Sequence, residues 1–282
     1  MDNLIAIAAA MLYLLSIATI VPGLVNQTGI RAKTVFISAA IALLFHGWLL
    51  SDLILHSSGQ NLSILNVASL ISFIISLAMS LAMFKTRLWF LLPVAYSFSA
   101  INLSAATFLP GTFITHLESD PKLLLHISLA LFSYSTLSIG ALYALQLAWL
   151  DHKLKSKKVF SINPNLPPLL LVERQLFKII LIGNLLLTGT LLTGFIFVQD
   201  MFAQGKAHKG ILSFVAWIVY SILLWGHYRK GWRGKKVTWF AVAGATLLTL
   251  LTSVAVLYVK SFCAEQDSSS CHLTLAIHSA FN

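Results

Sequence analysis

The sequence contains very little charge. Of its 282 residues, 10% are Asp, Glu, Lys or Arg, whereas 58% are hydrophobic. A water-soluble domain carries roughly a quarter charged residues, so this chain cannot cover itself with a hydrated surface. The composition excludes an ordinary soluble enzyme or binding module and predicts a protein whose main partner is the lipid bilayer.

Long apolar runs take the place of the missing charge. A membrane-spanning helix needs about 20 mostly apolar residues, and eight segments qualify. They cover approximately residues 3–24, 34–55, 62–84, 88–108, 123–150, 179–199, 211–227 and 238–259. The sequence therefore predicts an all-α, polytopic membrane helical bundle with eight transmembrane helices. We expect this bundle to occupy residues 1–260 and a short external tail to occupy residues 261–282.

Acidic residues are scarce, and the basic residues are unevenly distributed. Four alternate loops, 25–33, 85–87, 151–178 and 228–237, hold fifteen of the nineteen Lys and Arg residues and two of the nine acids. Loops rich in Lys and Arg remain in the cytoplasm, so we expect both termini outside. The net charge of +10 is then explained by short loops beside anionic lipid, and nucleic acid is not an expected partner.

The sequence also contains only two cysteines and no good signal-peptide cleavage site after its first apolar run. The two cysteines, Cys263 and Cys271, lie close together near the C-terminus without a Cys-x-x-Cys spacing, so thiol redox chemistry is not expected. An external location would permit a local disulfide, and the sequence leaves this pairing open. No basic residue precedes the first apolar run, and we expect that run to be retained as a helix.

The longest polar segment, residues 151–178, contains three prolines and a lysine cluster. Its second half, from about Leu169, predicts a short amphipathic helix that lies on the inner membrane surface. The segment separates five predicted spans from three.

Ionisable side chains are almost absent from the predicted spans, and no Lys, Arg or Glu lies deep in any of them. This absence argues against a transporter that uses a carboxylate relay. The exceptions are Asp52, which lies near the outer end of the second span and is expected at the interface, and three histidines: His46 in the second span, His126 near the outer end of the fifth, and His227 at the inner end of the seventh.

A histidine in such a helix has two interpretations. A neutral imidazole is a good axial ligand for haem iron, and seven Trp and eighteen Phe residues offer apolar surfaces for a porphyrin. Alternatively, each ring forms only a hydrogen bond to a neighbouring helix. At 100° per residue His126 and Ser133 share one helix face. His46 and His227 differ in depth, which argues against one haem held between them.

Three motifs support a family resemblance. They are "SGQNLSILNVASLIS" (58–72), "PKLLLHISLALFSYSTLSIGALYALQLAWL" (121–150) and "LLWGHYRKGWRGKK" (223–236). In this order they resemble the cytochrome c assembly family of the bacterial inner membrane, which contains CcsA-, CcmC- and HemX-like proteins, over residues 1–260. The resemblance implies haem handling. His126 matches an external histidine of the family, and His227 matches an intramembrane haem ligand of the CcsA branch.

The chain also departs from that family pattern. Family members that handle haem carry a tryptophan-rich outer segment, whereas residues 197–214 contain no tryptophan. The second external histidine has no counterpart at the expected distance, because His278 lies too far along the tail. We therefore expect a haem-binding protein without ligase activity of its own. The alternative is a cofactor-free interaction protein that stabilises or controls another membrane protein. A solute transporter is a third, weaker interpretation, and the sequence leaves the oligomeric state open.

Overall fold

A computed structural model describes residues 2–25, 30–56, 59–83, 89–109, 111, 114–117, 120–155, 168–197 and 207–265, with the helix path alone over 251–265. Helices account for nearly all of these residues. They are α1 (Asp2–Val25), α2 (Ala32–Ile54), α3 (Ile64–Ala82), α4 (Leu92–Phe108), α5 (Pro121–Lys155), α6 (Leu169–Phe197), α7 (Ala207–Lys230) and α8 (Lys235–Glu265). The predicted all-α class is confirmed.

Six helices are long and apolar enough to cross a membrane, judged on the described residues. The candidate spans are Asn3–Leu24, Ala32–Ile54, Ile64–Ala82, Pro121–His152, Leu169–Phe197 and Gly210–Lys230. The predicted fourth span is α4, whose 17 residues extend about 26 Å, slightly less than a hydrocarbon core of about 30 Å. A membrane protein with several spans is therefore established, while eight crossings remain a prediction.

The prediction of a separate surface helix from Leu169 is wrong. Leu169 is the first residue of α6, which continues without a break for 29 residues. The backbone N–H groups of Leu171 and Val172 donate to the Pro168 carbonyl, so the helix begins immediately after the proline pair. No proline or glycine interrupts residues 169–182, and the polar first turns and the apolar span therefore form one helix.

The predicted C-terminal tail falls largely outside the described residues. Helix α8 continues to Glu265, five residues beyond the predicted end of the bundle. Residues 266–282, and with them Cys271, lie outside the described part of the chain, as does the Cys263 side chain. The external tail stays a prediction, and the pairing of the two cysteines stays open.

Three very short strands lie between helices: β1 (Leu55–His56), β2 (Gly59–Asn61) and β3 (Ile114–Thr115). Strands β2 and β3 pair antiparallel, with Gln60 opposite Thr115. The Gln60 side chain also accepts a hydrogen bond from the Leu117 backbone N–H at 2.9 Å. Gly59 has φ of 129°, and a Cβ there would meet the Thr115 carbonyl oxygen at 2.6 Å.

The chain divides into two compact units. The first comprises Met1–Ser57, Ser63–Gly111 and Trp149–Val172. Its helices are joined by buried serine hydroxyls: Ser16 bonds Ser38 between α1 and α2, and Ser76 bonds Ser99 between α3 and α4, both at 2.7 Å. Hydroxyl pairs of this kind link helices in an apolar environment, and they place polar contacts within an otherwise apolar interior.

The second unit comprises Ser58–Leu62, Thr112–Ala148 and Glu173–Asn282. Its helices α5 and α6 approach closely because a Cβ at Gly183 would lie 2.6 Å from the Leu137 side chain. The Ser133 hydroxyl donates to the Gly183 carbonyl at 3.3 Å. Helices α6 and α7 are joined by a hydrogen bond from Asn184 to Ser221 at 3.2 Å. Small residues thus bring the helices of this unit into contact.

Candidate functional site

His46 is fully buried in the first unit, and both of its ring nitrogens have hydrogen-bond partners. Nδ1 lies 3.1 Å from the Tyr13 hydroxyl of α1, and Nε2 lies 3.0 Å from the Ser69 hydroxyl of α3. The ring also meets the Phe73 ring edge-on, with 5.2 Å between centroids. The imidazole therefore connects three helices, and this arrangement gives it no free nitrogen for a metal.

His126 lies in the second turn of α5, half-buried against α6. Its Nδ1 is 3.1 Å from the Thr193 hydroxyl, and that hydroxyl donates its own proton to the Gly189 carbonyl at 2.9 Å. The hydroxyl must then accept from the ring, so Nδ1 carries the proton. In the neutral imidazole Nε2 is consequently unprotonated, which is the form that can bind a metal.

His227 lies in the last turn of α7, and its ring stacks on Phe177 of α6, with 3.3 Å between ring centroids and 13° between planes. Its Nδ1 is 3.2 Å from the backbone carbonyl oxygen of Trp232. A carbonyl can only accept, so Nδ1 must donate, and Nε2 again carries the free lone pair. Both rings therefore carry a proton on Nδ1. The acceptor is a hydroxyl for His126 and a backbone carbonyl for His227.

The turn that places the Trp232 carbonyl is built around two glycines. Gly231 has φ of 63°, and its N–H donates to the His227 carbonyl at 3.1 Å, which caps α7 in a left-handed conformation that glycine adopts without strain. The Trp232 ring then folds back onto Gly226, where a Cβ would collide with the indole. Gly234, also with positive φ, leads into α8.

An ion pair fastens this turn to the beginning of α6. Arg233 Nε donates to Glu173 Oε1 at 3.1 Å. The Glu173 side chain is 7% exposed and that of Arg233 is 64% exposed. Because a buried carboxylate without a partner is costly, this contact holds the turn that presents the Trp232 carbonyl to His227.

The structure does not bring His126 and His227 together. Along α6 their partners Thr193 and Phe177 are sixteen residues apart, which corresponds to about 24 Å of helix. A porphyrin iron has its two axial ligands on opposite faces of one plane, so a single haem cannot use both rings. The two histidines define separate positions.

An apolar cleft of about 470 Å³ lies between α6 and α7 in the same unit. Thr188 is a polar residue in its wall, and the Thr188 hydroxyl accepts a hydrogen bond from the Trp217 indole at 2.9 Å. Phe214 stacks beside Trp217 with 5.7 Å between ring centroids. The cleft can accept an apolar or flat ring system, although neither His126 nor His227 belongs to its lining.

Sequence reasoning found the histidines but missed the groups that set their protonation. Thr193 is 67 residues from His126, and no local pattern pairs them. The local signal for the Trp232 carbonyl is limited to the glycines of "GHYRKGW", which are typical of a turn. The predicted shared face of His126 and Ser133 agrees with the structure, because both side chains contact α6.

The fold and these side chains define a polytopic α-helical membrane protein with imidazoles held at helix contacts. The model of the cytochrome C assembly protein family matches residues 34–261. The chain therefore belongs to this family, as the resemblance predicted.

Three similar proteins extend this result. Inner membrane protein YpjD of Escherichia coli (strain K12) is 51% identical over 247 residues, which is 87% of this chain and 94% of the relative. A 28.8 kDa protein of Azospirillum brasilense is 30% identical over 45% of this chain and 47% of its own length. Cytochrome c biogenesis protein CcsA of Synechococcus sp. (strain RCC307) is 22% identical over 45% of this chain and 49% of its own.

No solved structure matches the chain. The family and the YpjD relative confirm the predicted localisation, the bacterial inner membrane.

Proposed function

We propose that this protein binds haem at two separate positions, with His126 as the axial ligand at one and His227 at the other. The observation that carries the proposal is the hydrogen bond at Nδ1 of each ring, to a Thr193 hydroxyl that donates its own proton to a backbone carbonyl and to the carbonyl of Trp232. This leaves Nε2 free to ligate iron, the usual arrangement of a metal-binding histidine. His46 lacks such a nitrogen, and we assign it a structural role.

Membership of the cytochrome C assembly protein family supports haem as the bound group. The residues present fit it in two respects: each imidazole offers an unprotonated nitrogen, and the surroundings are apolar or aromatic, as with Phe177. Haem, when bound, would supply an iron that an imidazole nitrogen can ligate. The chain itself orients the two rings and keeps Nδ1 protonated.

In our proposal the chain crosses the membrane eight times and has both termini outside. The six candidate spans are complemented by α4 and α8, and the basic loops then all face the cytoplasm. His126 lies toward the outer leaflet and His227 toward the inner one. We propose no ligase activity, because residues 197–214 lack the tryptophans that the resemblance implies for that chemistry.

Absorption spectroscopy tests the haem proposal. The protein is purified from cells supplied with haem, and the Soret band and the pyridine haemochrome quantify bound haem. We expect His126→Ala and His227→Ala each to remove about half of it, and the double variant to remove nearly all.

His152→Ala is the matched control, because His152 is exposed at the end of α5 and should leave the spectrum unchanged. A wild-type protein without a Soret band, or a double variant that retains its band, would contradict the proposal.

A cofactor-free interaction protein remains the second candidate function. The observation that favours it is the ordered turn after α7, where Trp232 packs on Gly226 and Arg233 pairs with Glu173, because an ordered basic turn can also hold another membrane protein. If a copurifying membrane protein were lost on replacement of Trp232 but kept in the His126→Ala, His227→Ala double variant, this second function would replace the first.

A further inference from the structure

The turn between α7 and α8 carries a dense group of cations. Arg229, Lys230, Lys235 and Lys236 are all exposed, and together we call them the cationic turn. Among the described residues none of the four forms an ion pair. The carboxylate that α6 places beside them, Glu173, is already bonded by Arg233. The described protein thus provides no counterion for these four positive charges.

Aromatic rings hold two of these cations at a defined depth. The Lys230 ammonium lies 4.9 Å from the centroid of the Trp225 ring, and the Lys236 ammonium lies 5.8 Å from that of Trp232. Trp239, one turn into α8, is 73% exposed. Tryptophans at the ends of membrane helices lie at the level of the lipid headgroups, so cations held over them lie at that level too.

The backbone of the turn is ordered rather than extended. The Gly231 N–H caps α7, the Trp232 N–H donates to the Gly226 carbonyl at 3.1 Å, and Gly231 and Gly234 both have positive φ. The backbone therefore fixes the four cationic positions at two adjoining helix ends. Such preorganisation lowers the entropic cost of binding a partner.

We propose that the cationic turn binds the phosphate headgroup of an anionic phospholipid. Charge complementarity and depth identify this occupant, because headgroup phosphates are the anions that the bilayer itself supplies next to α7, a candidate span. In the proposed orientation the lipid belongs to the cytoplasmic leaflet. The headgroup chemistry is independent of haem, so failure of one proposal leaves the other unaffected.

Native mass spectrometry of the full-length protein in detergent micelles tests the proposal. Phosphatidylglycerol and phosphatidylcholine with identical acyl chains are titrated separately, and the dissociation constant of each is measured. We expect wild type to prefer phosphatidylglycerol. The Lys230→Gln, Lys236→Gln double variant should weaken phosphatidylglycerol binding about thirtyfold and leave phosphatidylcholine binding unchanged. The Lys230→Arg, Lys236→Arg variant should retain the preference.

Lys122→Gln provides the matched control. Its ammonium lies 5.7 Å from the Phe197 ring centroid, almost the geometry of Lys236 and Trp232, but at the other end of α6. This variant should bind phosphatidylglycerol like wild type. Equal loss in the control, no loss in the double variant, or equal affinity of wild type for both lipids would overturn the proposal.

Two other occupants are also distinguished by the same spectra. A second copy of the chain would appear as a dimer that the double variant dissociates, and an acidic protein partner as an added mass lost in that variant. Either result, with lipid binding unchanged, would overturn lipid as the occupant. A far-ultraviolet circular dichroism spectrum equal to that of wild type establishes for every variant that the helices are intact.

Discussion

His46 and His126 are both imidazoles within helices of a membrane protein, yet their environments differ in hydrogen bonding and in burial. His46 in the first unit has a hydroxyl at each nitrogen and is fully buried. His126 in the second unit has a hydroxyl at Nδ1 alone and is half-buried. His227 resembles His126, with a carbonyl in place of the hydroxyl.

This difference separates a structural histidine from a candidate ligand. In an apolar environment a ring with both nitrogens satisfied contributes only to helix contacts. A ring with one nitrogen fixed and the other free is oriented but still able to bind. The residue type and its place in a span do not distinguish the two; the second hydrogen bond does.

The largest expected effect is a loss of stability on removing the fully bonded histidine. His46→Leu removes the imidazole partner of the buried Tyr13 and Ser69 hydroxyls, so we expect the free energy of unfolding in mixed micelles to fall by about 2 kcal/mol. His126→Leu breaks one hydrogen bond and should cost about half as much. The exposed His152→Leu should change it by less than about 0.5 kcal/mol. If His46→Leu left the free energy of unfolding unchanged, the distinction between His46 and His126 would lose its basis.

A smaller effect is expected on haem affinity when the anchor of His126 is removed. Thr193→Val deprives Nδ1 of its acceptor, so the ring can change tautomer and orientation, and we expect about tenfold weaker haem binding in a Soret titration with little change in folding. Thr193→Ser should restore the affinity. Thr190→Val is the control, because the Thr190 hydroxyl bonds Leu186 within its own helix. Equal losses in both valine variants would show that the anchor has no special role.

The smallest effect concerns the contact that supports His227. Arg233→Gln leaves the Glu173 carboxylate without its cation, but the Arg233 side chain is 64% exposed and water partly compensates. We expect the free energy of unfolding to fall by about 1 kcal/mol, together with weaker haem binding in the His126→Ala background, where His227 is the remaining ligand. Arg229→Gln removes an exposed cation without an ion pair, and it should change neither the free energy of unfolding nor haem binding. If it had the same effect, net charge rather than the ion pair would be responsible.

Much of the fold followed from the sequence, because apolar length and periodicity are local properties. They predicted the helices and the face shared by His126 and Ser133, which both contact α6. The error at Leu169 has a local cause as well: polar residues such as Glu173 and Arg174 suggested a surface helix, but nothing in the backbone ends there. Glu173 is instead buried and paired.

The partners of the histidines could not be predicted in the same way. The contact between His126 and Thr193 depends on the rotation and register of α6 against α5, which Gly183 and Leu137 fix through close packing. The Tyr13 and Ser69 contacts of His46 depend likewise on three helices at once. Side-chain spacing along one helix contains no information about these relative positions.

The oxygen atoms that accept from Nδ1 of His126 and His227 differ in what makes them acceptors. The Thr193 hydroxyl has a proton of its own, and it accepts from His126 because that proton is donated to the Gly189 oxygen. The Trp232 oxygen belongs to a peptide group and has no proton to give. The Nδ1–H tautomer of His126 therefore depends on this second hydrogen bond, whereas that of His227 follows from a backbone carbonyl alone.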